Sequence, residues 1–129
     1  LLIDVDHFKR YNDTYGHHSG DIVLAETAAR ITGAVRRIDV AARVGGEEFS
    51  VLLPDTGLEE AMVVAERIRL AIHSEPFMLG DTSLAITISG GIALANAEDA
   101  SVADTASRAD TALYAAKSQG RNRICHSPN

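Results

Sequence analysis

The stretch Arg43-Val44-Gly45-Gly46-Glu47-Glu48-Phe49 decides how the rest of the chain is interpreted. Two glycines stand between short apolar runs at residues 39–44 and 47–53, and two carboxylates follow them at once. A Gly-Gly pair between such runs predicts a β-hairpin with a two-residue turn, because that turn needs residues with positive φ. Glycines also leave the hairpin tip without side chains, so a ligand can approach its backbone closely.

The predicted turn determines which hairpin residues share a face of the sheet. Arg43 would lie opposite Glu48, which favours a cross-strand ion pair between them. Val44 would lie opposite Glu47, so the two glutamates would point to opposite faces. Glu47 would then end an apolar row that includes Phe49, where a carboxylate is costly unless it is paired or bound to a metal. The pattern leaves Glu47 open as a metal-binding or catalytic group or as a solvated residue of the turn.

Composition describes a single acidic domain. The chain has 129 residues, of which 46% are hydrophobic, a net charge of −6 and one cysteine. The charge argues against a nucleic-acid binder, whose domains usually carry a basic face. With no apolar run of membrane-spanning length, no signal peptide and no possible internal disulfide, we expect a cytoplasmic domain, in a full-length protein that could still be membrane-anchored.

Four further motifs accompany the hairpin along the chain. They are Asp4-Val5-Asp6-His7-Phe8-Lys9, then Asn12-Asp13, then Gly16-His17 with Gly20-Asp21, and finally Ala109-Asp110 through Ala116-Lys117 to Gly120-Arg121-Asn122. Together with the hairpin they resemble, in the same order, the motifs of the GGDEF family of diguanylate cyclases in its GGEEF form. In that family the domain normally starts some tens of residues earlier. We therefore expect residues 1–129 to be a GGDEF domain that lacks its N-terminal helix and turn.

The first strand is predicted to end in carboxylates. Ile3 and Val5 fall on one parity, whereas Asp4 and Asp6 fall on the other. Strand-end aspartates also form ordinary turns, so parity alone leaves both a turn and a metal site open. The resemblance implies that Asp4, the carbonyl of Val5 and Glu47 bind Mg²⁺ or Mn²⁺, with Asp6 as a weaker candidate.

A helical turn over residues 7–13 is predicted to follow, and its free amides suit a phosphate group. Lys9 is either a solvated side chain or, as the resemblance implies, a cation of the catalytic site. The resemblance also implies that Asn12 and Asp21 bind guanine, whose donors and acceptors match an amide and a carboxylate. Adjacent His17 and His18 lack helical i, i+4 spacing, which argues against a metal site there. Four more residues are implied to contact substrate: Phe8, His17, Gly45 and Gly46.

Three longer helices are predicted from apolar periodicity. The first covers residues 22–37, with Ser19 or Asp21 at its start. The second follows a Thr56-x-x-Glu59 capping box, and the third follows Ser101-x-x-Asp104. The predicted core residues are Leu24, Ala28, Ile31 and Val35 in the first helix, Ala61, Val64, Ala65, Ile68 and Ile72 in the second, and Val102, Ala106, Ala109, Leu113 and Ala116 in the third.

The remaining segments complete an α+β fold. Pro76 and Gly80 predict a loop, and alternating apolar residues from Leu84 predict one strand that continues through Gly90-Gly91 with a kink or bulge. A final strand is predicted over residues 122–126. This order of elements favours a mostly antiparallel sheet with packed helices, similar to the palm-like fold of nucleotidyl cyclases and polymerases.

Lys117 and Arg121 have two interpretations. A cation in the last turn of a helix is favoured by the helix dipole. The resemblance instead implies that both residues bind the β and γ phosphates of GTP.

The activity that the resemblance implies is the condensation of two GTP molecules into cyclic di-GMP and two pyrophosphates by a homodimer. Glu47, or alternatively Glu48, would accept the proton, and a sensor or regulatory domain would lie upstream. A catalytically silent GTP- or cyclic di-GMP-binding module, and a related enzyme acting on another base, stay open.

The segment Arg36-Arg37-Ile38-Asp39 also has two interpretations. Its arginines can close a helix while Asp39 starts a turn. Alternatively, Arg36-x-x-Asp39 five residues before the glycines resembles the family's inhibitory site for the product, with Arg67 as a second cation.

Overall fold

The computed structural model describes residues 1–128, which contain four helices and seven strands. In chain order these are β1 Leu2–Val5, α1 Phe8–Tyr15, α2 His17–Ala34, β2 Val40–Arg43, β3 Glu48–Leu52, α3 Leu58–His73, β4 Phe77–Leu79, β5 Thr82–Leu84, β6 Ile88–Ile92, α4 Val102–Ser118 and β7 Arg123–His126. The main sheet has the order β2-β3-β1-β6-β7 and is antiparallel except for the β6–β7 pair. The predicted α+β class is therefore confirmed.

The hairpin β2–β3 is present, but its predicted register is wrong by one residue. Arg43 is paired with Phe49 rather than with Glu48, and the Val44 amide donates to the Glu48 carbonyl over 2.9 Å. The loop thus contains three residues, and neither of its glycines has a positive φ. The Glu47 carbonyl faces β1, where it accepts a 3.2 Å hydrogen bond from the amide of Val5.

Strand β6 continues through Gly90-Gly91, as predicted, but it contains no bulge. Its register with β1 is regular from Leu2 opposite Gly91 to Val5 opposite Ile88. A Cβ atom on Gly91 would lie 2.2 Å from the Ala109 carbonyl oxygen of α4. Glycine is therefore required here because it lets α4 approach the sheet closely.

The predicted loop around Gly80 is a small hairpin, β4–β5, so Leu84 belongs to β5 and not to β6. Gly80 has a φ of 60°. Arg30 fixes the start of this hairpin, because its Nη1 donates to the Glu75 carbonyl over 2.7 Å and its guanidinium lies 3.9 Å from the ring centre of Phe77.

The helix cores agree with the periodicity better than the helix starts do. The five predicted core residues of α3 are buried, whereas Val102, at the first position of α4, is 84% exposed. Helix α2 begins at His17 after Gly16 without a side-chain cap, so Ser19 and Asp21 lie within it. It ends at Ala34, which leaves Arg36 outside the helix.

The predicted capping box of α3 is also absent. The N-cap residue is Gly57. The hydroxyl of Thr56 instead donates to the Pro54 carbonyl over 2.8 Å and accepts a bond from Arg36 over 2.6 Å. Ser101 does occupy the N-cap of α4, but its side chain forms no cap bond.

Candidate active site

A cavity of about 460 Å³ lies where α1, the start of α2 and the tip of the β2–β3 hairpin meet. Seven of its nine lining residues were predicted to contact substrate or metal. The lining consists of Phe8, Lys9, Asn12, His17, Asp21, Leu24, Arg43, Gly46 and Glu47. The hairpin, the first helix and the second helix thus bring distant motifs of the sequence to one place.

Asp4 and Glu47 form an acidic pair beside this cavity. Asp4 lies in β1 and is 3% exposed. Burial raises the pKa of the Glu47 carboxyl, and the neighbouring charge of Asp4 raises that pKa further. The ammonium group of Lys117 contacts Oδ2 of Asp4. The other oxygen of Asp4, Oδ1, is buried and has no hydrogen-bond partner within residues 1–128.

This pair fits a divalent cation of the magnesium type. Hard cations prefer carboxylate and carbonyl oxygens, and Mg²⁺ is usually held by one or two carboxylates together with substrate phosphates. The unpaired, buried Oδ1 of Asp4 is a ligand of this kind. The Val5 backbone is next to Glu47, because its amide donates a 3.2 Å hydrogen bond to the Glu47 carbonyl. No cluster of three or more His, Cys, Asp or Glu side chains suited to a metal occurs within residues 1–128.

Asp6 differs from Asp4 although both lie on one parity. Its Oδ2 accepts bonds from the Thr87 hydroxyl at 2.7 Å and the Asn122 amide at 3.0 Å. Its Oδ1 accepts a 2.6 Å bond from the Ser89 hydroxyl. Both oxygens of Asp6 are therefore hydrogen-bonded, unlike Oδ1 of Asp4, and a metal-binding role for Asp6 stays a prediction.

Asn12 and Asp21 border the cavity from adjacent helices. The Asn12 Oδ1 atom is buried without a donor within the described part of the chain. Gly20 makes room for it, because a Cβ atom on Gly20 would lie 1.8 Å from this oxygen. Asp21 is exposed and also lines a second cavity of about 370 Å³ between α2 and the strands β2 and β3. The site therefore offers an unpaired amide oxygen and a free carboxylate to a ligand.

The three predicted phosphate-binding cations differ in their contacts with the site. Lys9 lines the cavity, and Lys117 contacts Asp4. Arg121 follows α4 with a φ of 64°, and its guanidinium forms no hydrogen bond or ion pair within residues 1–128. Gly45, unlike Gly46, is not among the residues that line the cavity.

Arg43 is a residue of the site that the sequence prediction missed. Its guanidinium donates to the carbonyls of Gly45 and Gly46 over 2.8–3.1 Å, so it holds the hairpin loop instead of pairing with Glu48. It also lines both cavities. An arginine two residues before Gly-Gly was the available signal, but the two-residue turn placed it on the wrong face.

A second polar cluster contains Arg36 and Asp39, and its residues do not line the 460 Å³ cavity. The guanidinium of Arg36 binds both carboxylate oxygens of Asp39 over 2.8–3.2 Å and also donates to Thr56. These bonds lower the pKa of Asp39, and the charge of Arg67 lowers it further. Arg67 itself donates to the Ala34 carbonyl over 3.1 Å. The three residues implied for product inhibition thus lie close together.

The family described as diguanylate cyclase, GGDEF domain, matches residues 1–123 of this chain. The chain belongs to the GGDEF family of diguanylate cyclases. A diguanylate cyclase A of Treponema denticola is 47% identical over 129 residues, which are 100% of this chain and 35% of that protein. The chain therefore spans about a third of the length of this relative.

Solved structures agree with this assignment. The GGDEF domain of YfiN from Pseudomonas aeruginosa is 36% identical with a TM-score of 0.93, over 99% of this chain and 80% of that one. The GGDEF domain of DgcB from Caulobacter crescentus, in complex with c-di-GMP, is 36% identical with a TM-score of 0.89, over 97% of this chain and 74% of that one. Within residues 1–128 no helix combines the length and apolar character needed to cross a bilayer.

Proposed function

We propose that this domain acts as a diguanylate cyclase, which converts two GTP molecules into cyclic di-GMP and two pyrophosphates. The observation that carries the proposal is the meeting of Asn12, Asp21, Lys9 and Glu47 on one cavity beside Asp4. The reaction requires groups that bind guanine, a cation that binds phosphate, and a pair of carboxylates that binds a metal. Family membership supports the same conclusion.

Each group has a role that follows from its surroundings. Asn12 and Asp21 would bind guanine, because its N1–H and exocyclic amine need acceptors such as the unpaired Oδ1 of Asn12. Lys9, Lys117 and Arg121 would bind the phosphates. Phe8, His17 and the glycines of the loop would shape the pocket around them.

Asp4, the Val5 carbonyl and Glu47 would hold Mg²⁺ or Mn²⁺, which when bound neutralises phosphate charge and acidifies the attacking 3′-hydroxyl. In the reaction, the 3′-oxygen of one GTP bonds to the α-phosphorus of the other, and pyrophosphate leaves. We assign the proton to Glu47 rather than Glu48, because Glu47 lines the cavity whereas Glu48 is exposed and does not line it.

The chemistry requires two copies of the domain. One cavity of about 460 Å³ suits one nucleotide, whereas two must react, so a homodimer would bring two cavities face to face. A sensor or regulatory domain upstream would control this encounter. The relatives are longer than this chain, which leaves room for such a domain in them.

Product inhibition at Arg36 and Asp39 is a further part of the proposal. Arg36 offers a planar fork for phosphate or guanine edges, and Arg67 adds a second cation near Asp39. In the present arrangement the fork is occupied by Asp39 and Thr56. Cyclic di-GMP would have to displace at least one of these bonds.

Incubation with GTP or ATP in the presence of Mg²⁺, followed by chromatography, tests the proposed activity. Cyclic di-GMP and pyrophosphate from GTP alone are expected. Binding of GTP without turnover would support a catalytically silent module, and turnover of ATP would indicate a cyclase for another base. Calorimetry of Asp21→Ala should show weaker GTP binding with unchanged Mg²⁺ dependence.

A further inference from the structure

The loop that follows α4 has a strained backbone. Gly120, Arg121 and Asn122 have φ angles of 122°, 64° and 47°, so three consecutive residues occupy the left-handed region. Residues other than glycine adopt this conformation at a cost, and it persists where surrounding contacts hold it. Contacts with other elements must therefore maintain the conformation of this loop.

Two contacts hold Asn122 from opposite ends of the residue. Its backbone amide donates to Oδ2 of Asp6 over 3.0 Å. Its side-chain Oδ1 accepts a bond of 3.0 Å from Nη1 of Arg69 in α3. Arg69 is in turn oriented by Glu66, whose Oε1 accepts a bond from its Nε over 2.9 Å. The loop is thus tied both to the end of β1 and to α3.

The carboxylate of Asp6, which accepts the Asn122 amide bond, is buried among hydrogen-bond donors. It is 8% exposed and accepts bonds from Thr87, Ser89 and Asn122. No cationic side chain pairs with it in residues 1–128. Burying a carboxylate without a cation is costly, so the three hydrogen bonds are what keep it in place. Both oxygens of Asp6 thus have donors, whereas Oδ1 of Asp4 has none within residues 1–128.

Arg121 lies one residue before the held Asn122 and four residues after Lys117. Its guanidinium has no partner within residues 1–128, so its direction depends on the backbone that carries it. We infer that Asp6, Arg69 and Asn122 form a clamp that positions Arg121 for binding the phosphates of the nucleotide. The inference rests on the proposed function, because it names residues that orient one of its phosphate ligands.

A double-mutant cycle tests the clamp through nucleotide binding. Calorimetry with Mn²⁺ and a GTP analogue that has a methylene α–β bridge measures affinity without turnover. Arg69→Met should weaken binding about fivefold or more in the parent background, yet have no further effect once Arg121→Ala is present. Asn122→Gly keeps the backbone amide and tolerates the φ angle, so it should reproduce the effect of Arg69→Met while folding normally.

Arg108→Met is the matched control. Arg108 is also a partly buried arginine in an ion pair, with Asp99 at 2.9 Å, and it does not line the 460 Å³ cavity. Its substitution should leave nucleotide affinity unchanged. If Arg69→Met and Asn122→Gly bound the analogue as the parent does, or if Arg69→Met added its full effect to Arg121→Ala, the clamp would be wrong.

Metal binding by the two variants tests whether Asp6 and Asp4 have different roles. Titration with Mn²⁺ alone, followed by electron paramagnetic resonance, should show binding retained in Asp6→Asn and lost in Asp4→Asn. Equal loss in both variants would make Asp6 a metal ligand and overturn its place in the clamp. A parent protein that binds neither GTP analogue nor GTP would overturn the proposed function, and this inference with it, whereas binding that is insensitive to Arg69 overturns the clamp alone.

Discussion

The 460 Å³ cavity and the Arg36–Asp39 cluster differ in how their buried polar groups are satisfied. Beside the cavity, Asp4 Oδ1 and Asn12 Oδ1 have no donor within residues 1–128. In the cluster, both carboxylate oxygens of Asp39 accept bonds from Arg36 at 3.2 Å or less. A buried polar atom without a partner costs roughly 1–3 kcal/mol, so such atoms are informative where they persist.

Under the proposed function, a ligand would bind at the cavity without breaking an internal contact, whereas at the cluster it would have to break one. At the cavity, a cation would supply a partner for Asp4 Oδ1 and a guanine base would supply one for Asn12 Oδ1. Ligand binding there would therefore be favoured by contacts that the folded chain alone does not make. At the cluster a ligand would compete with an ion pair that already exists. Substitutions should therefore damage function at the cavity and weaken an internal contact at the cluster.

The largest effect is expected when the acidic pair is broken. Glu47→Gln keeps the size of the side chain but removes the carboxylate proposed to bind the metal, so turnover of GTP should fall by about a hundredfold or more. Circular dichroism should show an unchanged fold. Cyclic di-GMP formation, measured by chromatography, checks the rate.

Glu48→Gln is the control for this substitution. Glu48 is exposed, and it is the weaker of the two neighbouring charges that raise the pKa of Glu47. It should retain most of the activity. Near-parent turnover in Glu47→Gln, or equal losses in both variants, would contradict the assignment of Glu47.

The second prediction concerns Gly20→Ala, which should affect GTP binding and fold stability differently. In a helix, glycine to alanine normally stabilises by about 0.5–1 kcal/mol. At Gly20, however, the new Cβ would lie 1.8 Å from Asn12 Oδ1 and must displace that side chain. We expect GTP affinity to fall by about tenfold, equivalent to 1.4 kcal/mol, as measured by calorimetry.

Gly33→Ala in the same helix provides the matched comparison. No atom lies within 4 Å of a Cβ built on Gly33. This variant should gain thermal stability and bind GTP as the parent does. If Gly20→Ala also bound GTP normally, Asn12 would not be part of the base pocket.

How far the sequence predicts these regions depends on whether the deciding contact is local. Helix periodicity correctly placed the buried face of α3, and the alternation of residues correctly kept Gly90-Gly91 inside one continuous strand. These properties follow from the geometry of one element. The family motifs contain most of the residues that line the 460 Å³ cavity, and the roles of these residues stay predictions.

The errors arose where a distant contact decided the outcome. In the hairpin loop, Glu47 is bonded to Val5 of β1, a contact that no pattern inside the hairpin contains. The role of Asp6 depends on Thr87 and Asn122, which lie 81 and 116 residues away in the chain. Likewise, Arg36 bonds to Thr56 and removes that hydroxyl from the predicted capping box.

The third prediction tests the cluster by breaking its ion pair. Arg36→Ala removes the fork that would hold the product, so cyclic di-GMP should no longer slow the enzyme, while initial rates stay within about twofold of the parent because the nucleotide cavity is intact. Inhibition curves at several GTP concentrations measure this. In the parent, added product should slow the rate without competing with GTP.

Arg37→Ala is the control because Arg37 is exposed and adjacent. It should preserve inhibition. Equal affinity of the parent and Arg36→Ala for cyclic di-GMP, measured by calorimetry, would leave Arg36 and Asp39 as a structural ion pair at the end of α2.

The smallest effect is a difference in pH dependence between the two regions in metal-free protein. The pKa of Glu47 is raised from 4.5, first by burial and then by Asp4. Its contribution to stability is complete below pH 4.5 and is lost as the pH rises through the raised value. The pKa of Asp39 is lowered from 3.8 by the hydrogen bonds of Arg36. Its contribution is complete above pH 3.8 and is lost as the pH falls through the lowered value.

Urea unfolding in the presence of a chelator, from about pH 3 to about pH 8, measures both slopes. Glu47→Gln should remove the loss on the alkaline side and stabilise the protein near neutral pH by about 0.5 kcal/mol, a small value because solvent screens a half-buried charge. Asp39→Asn should instead remove the loss on the acid side. Glu47 makes the protein less stable as the pH rises, and Asp39 makes it less stable as the pH falls. A single variant that changed stability at both ends of the pH range would show that the two regions are not independent.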